Sequence, residues 1–169
     1  MQKSGFLFLV YCLLLASCFF SACKFNPNYQ GRGIDFMQGV WEEIPAPYKD
    51  NLMQYTHHKF KFTCDSVYVT LETHAKTNYY PDSCFKNGIW KEYAKGNYIV
   101  RNDTLYIIST FTKENFKQKL SGCYRIGQYL PIFVITKRGP GKLELQGLQQ
   151  HVPVALRLKQ KIKCDPKPL

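Results

Sequence analysis

The sequence predicts an all-β fold: about eight short antiparallel strands closed as a barrel, or stacked as a β-sandwich, behind a cleaved N-terminal signal peptide. Three observations carry that reading. Apolar and polar residues alternate with a period of two over most of the chain from Phe36 onward, as on strands with one buried face. Twelve Tyr and twelve Phe stand among 169 residues, and aromatic side chains suit a pleated, half-buried surface better than a helix. No long amphipathic helix is visible, which argues against the parallel α/β folds whose strands alternate with helices.

The leader comes first. Met1 to Gly5 carries Lys3 and a free amine, Phe6 to Leu15 is an unbroken apolar run, and Ala16, Ser17 and Cys18 follow. A basic start, an apolar middle and a small-residue end describe a secretory signal. The apolar stretch is short for a membrane span, which needs about 20 residues. Two cysteines sit where a lipoprotein precursor is cut and acylated. Leu15-Ala16-Ser17-Cys18 fits the bacterial lipobox pattern at every place, whereas Phe20-Ser21-Ala22-Cys23 has Phe at the first. Parity favours the second. Lipidation of Cys23 leaves Cys64, Cys84, Cys123 and Cys164, an even set suited to disulfides in an oxidising compartment, while lipidation of Cys18 leaves an odd thiol. The expectation is a signal peptide over residues 1–22, palmitate-class acyl chains on Cys23 (alternative Cys18), a flexible tether over 23–36 and a single barrel domain over 37–169. Acyl chains at about 0.8 kcal/mol per buried methylene anchor such a protein to a membrane without spanning it.

The strands follow in order. Gly39 to Ile44 is the first. Phe60 and Phe62 alternate with Lys59, Lys61 and Thr63, and Asp65 and Ser66 then turn the chain into Val67 to Thr73, a hairpin. Asn97 to Val100 and Leu105 to Phe111 flank Asn102 and Asp103, residues that tolerate the positive φ of a tight turn. Leu120 to Ile126 is a further strand candidate, and Ile132 to Lys137 pairs with Lys142 to Leu148 around Gly139, Pro140 and Gly141. The last segment separates Val154, Leu156, Leu158, Ile162 and Cys164 from Arg157, Lys159, Lys161 and Lys163 on the opposite face. Ala46 to Tyr55 and Lys113 to Lys117 are the two places left for a brief helix.

Gly39, Val40 and Trp41 on the first strand resemble the Gly-x-Trp start of lipocalins and lipocalin-like domains. That resemblance implies a Trp packed across the barrel floor, often covered by an Arg from near the last strand; Arg157 stands in that place, although its face looks outward. A broader resemblance rests on Cys23 to Pro27, Gln54 to Asp65, Tyr80 to Cys84, Trp90 to Ala94 and Gly122 to Pro131. These stretches are similar to a family of small Gram-negative lipoproteins, some of whose members carry the name fumarate hydratase. The chemistry of that name does not follow from the residues. One fumarase class is built as large helical tetramers with a Ser-rich mobile loop, and the other holds an iron–sulfur cluster on cysteines. The cysteines here lack the close C-x-x-C spacing of cluster or zinc ligands.

The net charge is +11, and loss of the leader takes away only Lys3. Nucleic acid is not the expected partner, because the chain is exported and shows no helix-turn-helix, zinc or RNA-binding signature. Anionic lipid headgroups or acidic glycans are the polyanions such a surface would meet, with the Arg157 to Lys163 stripe toward them; a Lys-protected strand in water is the plainer reading. No Gly-x-Ser-x-Gly elbow or Cys-His signature points to catalysis. His57 and His58 are adjacent, so on a strand their rings face opposite ways, and even with His74 and His151 no metal is expected. No cofactor is expected either. The four late cysteines are expected in two disulfides, at about 2–4 kcal/mol each, with the pairing open. Tyr79, Tyr80, Trp90 and Tyr93 crowd a long polar connection that would line a barrel mouth. The functional expectation is a non-enzymatic lipoprotein of the cell envelope, at the outer membrane or the periplasmic face, that binds a small apolar or amphipathic ligand. The rival is an interaction module with a filled barrel, and the size of the cavity separates the two.

Overall fold

The computed structural model describes residues 28–78, 80–148 and 152–168. The expected signal peptide, both lipidation candidates Cys18 and Cys23, Tyr79 and His151 lie outside the described residues. The chain divides into two compact units, one of residues 31–166 and one made of its two ends. In the second, Tyr29 pairs with Pro168 and the Gln30 amide donates to the Lys167 carbonyl at 2.9 Å.

The larger unit is an antiparallel sheet built from β1 (Gly39–Glu43), β2 (Gln54–Thr63), β3 (Ser66–Ala75), β4 (Ile89–Arg101), β5 (Thr104–Thr112), β6 (Gln128–Tyr129), β7 (Ile132–Gly139), β8 (Lys142–Gly147) and β9 (Val154–Lys161). The strands run in the order β4-β3-β2-β1-β9-β8-β7-β5, and β4 pairs back with β5, so eight of them close as a barrel. The fold is the barrel and not the sandwich. The ninth strand, β6, lies against β5 at Ser109 and Thr110, beyond the stretch that β7 covers. Closure satisfies the backbone groups that an open sheet would leave at its edges.

The period of two in the sequence is the inside and outside of this barrel. Phe60 and Phe62 point in from β2, Val67, Val69 and Leu71 from β3, Leu105 and Ile107 from β5, and Leu143 and Leu145 from β8, all buried. The ring of Phe62 meets Tyr98 edge-on at 4.8 Å, and Phe60 meets Phe133 edge-on at 6.1 Å. Each such side chain removed from water contributes about 1.5–3 kcal/mol, so this interior is the main stabilising term.

The two ends of the barrel differ. At one end lie three tight turns, Cys64–Asp65, Asn102–Asp103 and Pro140–Gly141, and this end is closed. Asn102 and Asp103 adopt φ of 47° and 56°, the left-handed conformation expected of them. Trp41 lies on the floor, 2% exposed, its indole N–H donating to the Met37 carbonyl at 2.7 Å. Gly39 has φ 149°, and a Cβ there would lie 2.5 Å from a Leu158 methyl and 2.6 Å from the Gln160 carbonyl oxygen. Together with the register shift between Val40 and Trp41, this explains the glycine of the Gly-x-Trp motif: only a bare backbone lets β1 and β9 approach where the strand bends. Arg157 does not cover Trp41. It is exposed on the outer face, as its parity on β9 requires, and the main chain at Met37 takes the indole instead.

Residues 31–36, assigned to the tether from their composition, are bonded to the closed end. The Gly31 amide donates to Asp65 Oδ2 at 2.9 Å, the Ile34 amide donates to the Tyr98 hydroxyl at 3.1 Å, and Ile34 and Phe36 pack on the core. Next to them the buried Gln38 side chain imitates a strand. Its amide donates to the Cys64 carbonyl at 2.8 Å and accepts from the Cys64 N–H at 2.7 Å. A disulfide joins Cys64 to Cys164, and a second joins Cys84 to Cys123, which fixes the pairing that the sequence left open.

Several elements depart from the sequence reading. Leu120 to Ile126 is not a strand: Gly122 and Tyr124 take positive φ and Leu120 is 76% exposed. Ala46 to Tyr55 holds only the 3₁₀ turn Lys49–Asn51 before β2 begins. Lys113 to Lys117 is a tight turn, closed by the Lys113 amide donating to the Lys117 carbonyl at 2.9 Å, with Phe116 at φ 58°. The short helix is α1 (Asp82–Phe85), in the connection between β3 and β4. Of the basic stripe, Lys159 pairs with Glu42 at 3.2 Å and Lys161 donates to the Asp35 carbonyl at 2.7 Å, so two of its cations are engaged within the molecule.

Candidate functional site

At the opposite end of the barrel lie, among the described residues, the long connections 44–53, 76–78 with 80–88, and 113–131. Two buried carboxylates point into the barrel here, Glu43 from β1 and Glu92 from β4. Neither can be left bare in a dry interior, and each organises a small polar network.

Glu43 accepts from three donors. The Tyr55 hydroxyl bonds Oε1, while the backbone N–H of His58 and its ring Nδ1 both lie 2.7 Å from Oε2. His58 is 5% exposed and its ring stacks on Phe60 with centroids 5.8 Å apart. Glu92 is held by four. The Arg125 backbone N–H, Nε and Nη2 lie at 3.1, 3.0 and 2.7 Å from its oxygens, and the Trp90 indole N–H lies at 3.3 Å. Burial alone would pull the Arg125 guanidinium down, but the hydrogen bonds and charge of Glu92 hold it above its ordinary value. The guanidinium also lies over the Phe111 ring at 4.8 Å.

Arg125 belongs to a loop that is stapled in place. Cys123 is bonded to Cys84 of α1, the Tyr124 hydroxyl donates to the Cys84 carbonyl, and Tyr124 stacks on Trp90 with centroids 5.4 Å apart. Tyr80 meets both rings edge-on, at 5.3 Å from Trp90 and 5.2 Å from Tyr124. One sector of the mouth is thus plugged by an aromatic trio.

Beside the plug a cavity of about 420 Å³ remains, reached by Leu71, Phe111 and Phe133 from the apolar side and by Thr56, His58 and Arg125 from the polar side. A wider groove of about 540 Å³ lies elsewhere, on the outer face of β2 and β3 beneath the 44–53 connection. His57, Glu72 and His74 line it. His74 and Lys91 sit 3.0 and 3.1 Å from the Glu72 carboxylate and hold it below its ordinary range. The larger groove lies on the outer face, whereas the smaller cavity is lined by the inward-facing Leu71, Phe111 and Phe133.

Of the residues expected at the mouth, Tyr80 and Trp90 come together in the plug. Tyr93 does not join them: β4 starts at Ile89, so Trp90 and Glu92 face in and Tyr93 faces out, against Phe116 and Glu114. His57 and His58 point to opposite faces, as adjacent strand residues must. Among the described residues no three His, Cys, Asp or Glu side chains gather closely enough to hold a metal. The sequence reading missed Glu43, Glu92, Tyr124 and Arg125. A signal existed for two of them: Glu43 follows Trp41, and Glu92 follows Trp90, each at a spacing of two, which puts a carboxylate on the buried face of its strand.

Burial raises the phenols of Tyr55, Tyr80, Tyr124 and Tyr129 at this end, with Glu43 pushing Tyr55 further and Glu92 the other three. Tyr98 at the floor is also raised by burial. An unfolded phenol loses its proton near pH 10, while the folded ones hold theirs to higher pH. Stability is therefore expected to be complete below about pH 10 and to fall as pH climbs above it, because only the unfolded chain has then lost protons. Tyrosinate absorbance followed alongside denaturant midpoints checks this; phenols that all titrate together near pH 10 with a flat midpoint would contradict it.

In comparisons with known proteins, the chain matches no protein-family model, no curated protein sequence and no solved structure.

Proposed function

We propose that this protein is a non-enzymatic binder of a small amphipathic molecule, held at the cell envelope by acyl chains on Cys23. The cavity at the open end carries the proposal. Its volume of about 420 Å³ lies within the range of small-molecule sites, and its wall combines apolar side chains with a few oriented polar groups. The lower barrel is filled by Phe60, Phe62, Met37 and Trp41, so the guest sits at the mouth and not deep inside. Two disulfides in so small a domain support an oxidising compartment. The apolar leader ending in Ala22 and Cys23, and the similarity to small Gram-negative lipoproteins, support the anchor. Exposed Lys side chains on the outer strands suit an anionic headgroup or glycan surface beneath the protein.

The test is native mass spectrometry of the mature protein purified from its own host. Reproducible mass above that of the polypeptide and its acyl chains, released on unfolding, is the expected result. A bare polypeptide mass, together with no fluorescence rise when N-phenyl-1-naphthylamine is added, would leave the interaction-module reading in its place. The same spectra report the anchor: an intact Met1 without attached lipid would remove the envelope assignment.

A further inference from the structure

We infer that the cavity selects a head group that donates a hydrogen bond and carries no negative charge, a hydroxyl or a protonated amine, read by His58 Nε2. The inference deepens the proposed binding function and rests on it.

The chain of reasoning begins at Glu43. A backbone N–H can only donate, so Oε2, which receives the His58 amide, is an acceptor. His58 Nδ1 lies 2.7 Å from the same oxygen, so this nitrogen carries a hydrogen. The lone pair of the neutral ring is then on Nε2. Stacking on Phe60 and the bond to Glu43 fix the plane of the ring, and His58 forms part of the cavity wall. Nε2 has no hydrogen-bond partner among the described residues and is not one of their fully buried atoms, so it opens onto the cavity. It is an oriented acceptor in the polar part of the cavity wall, and a guest that donates to it replaces the bond water makes there, whereas one that cannot donate leaves it unmade.

Charge settles the sign of the guest. The whole chain is strongly basic, at +11, which by itself favours an anion. At the cavity that excess of cations is missing. Arg125 is the one cation among the described wall residues, and it is spent on Glu92 in a two-pronged pair. The Glu43 carboxylate behind His58 has hydrogen-bond donors but no Lys or Arg within ion-pair distance among the described residues. An anionic head would meet no uncommitted Lys or Arg among the described wall residues.

The experiment loads the mature chain with N-phenyl-1-naphthylamine at pH 8 and displaces it with four molecules of equal chain length: 1-decanol, decylamine, decanoate and methyl decyl ether. Decanol or decylamine is expected to displace the probe at concentrations about tenfold lower than the ether or decanoate, the scale of one net hydrogen bond. His58→Phe is expected to flatten the series while the probe still binds. In the unaltered protein, the imidazole ¹⁵N resonance of Nε2 is expected to move on adding decanol and to stay in place on adding the ether, a readout that needs no variant. Equal displacement by alcohol and ether, or decanoate leading the series, overturns the head-group assignment and leaves the cavity a binding site. A probe that never binds overturns the cavity reading and this inference together.

Discussion

Replacing Cys64 and Cys164 together by alanine is expected to lower the stability of the barrel by about 3–5 kcal/mol. The bridge closes a loop of sequence separation 100, for which the chain-entropy model gives about 4.7 kcal/mol of unfolded-state restriction. A single native hydrogen bond contributes about 1 kcal/mol, so the bridge outweighs any one polar contact of the floor. Its native surroundings do not depend on it. Gln38 still holds both backbone groups of Cys64, and the Gly31 amide still donates to Asp65. The loss should therefore act through the unfolded chain and leave the native near-ultraviolet spectrum in place, with the melting temperature lower by on the order of 10 °C. Denaturant titration of the double variant decides it. A change below about 1 kcal/mol would mean that the bridge does not restrain the unfolded chain as its span requires.

Arg125→Met is expected to cost about 2–3 kcal/mol and to loosen the loop that plugs the mouth. Removing one partner of a buried ion pair costs about 3–5 kcal/mol, because the remaining charge is left without compensation. The lower figure applies here because the Arg125 side chain is 46% exposed, so water recovers part of the loss, while Glu92 at 2% cannot reach water unaided. The Arg125 backbone N–H and the Trp90 indole would remain as its donors. A double variant distinguishes charge from packing. Glu92→Gln combined with Arg125→Met should be less damaged than Arg125→Met alone, since no stranded charge remains. If the double variant loses the sum of the two single effects, the pair does not act as a unit. Quenching of Trp90 fluorescence reports the loop directly, because Tyr124 stacks on that indole.

What the sequence made legible, and what it hid, follows from the physics of each signal. The hairpin at Asn102–Asp103 was readable because the turn chemistry and the alternation on both sides agree. The closed barrel was inferred from many short strands, although the ring also needs the long-range pairing of β1 with β9, which no local signal announces. Leu120 to Ile126 misled because apolar residues in a loop can serve a plug: Tyr124 and Arg125 fold over Trp90 and Glu92, and the ordering force is a disulfide and an ion pair, neither of which has a period. The disulfide pairing was invisible for the same reason, since Cys64 meets Cys164 only after β9 has come to lie beside β1. His58 was noticed as a histidine, but its meaning depends on Glu43, its neighbour across the strand pair, and a hydrogen bond across strands leaves no trace in spacing along one of them. The two carboxylates were the recoverable loss, because a Glu two residues after a buried Trp must share its face.

The contrast between the two ends of the barrel separates inheritance of form from inheritance of taste. At the tight end, Cys64 alone is gripped by Gln38 on both backbone atoms and by Cys164 on sulfur, so one residue inserted there would dislodge three attachments at once. At the other end, the 113–131 connection is held by a sulfur staple to α1, the Glu92 ion pair, β6 and the rings of Phe116 and Tyr124, and the rest of it can lengthen or change charge without disturbing Phe60, Phe62 or Trp41. Descendants of such a scaffold can drift toward new guests at the rim while the base stays as it is.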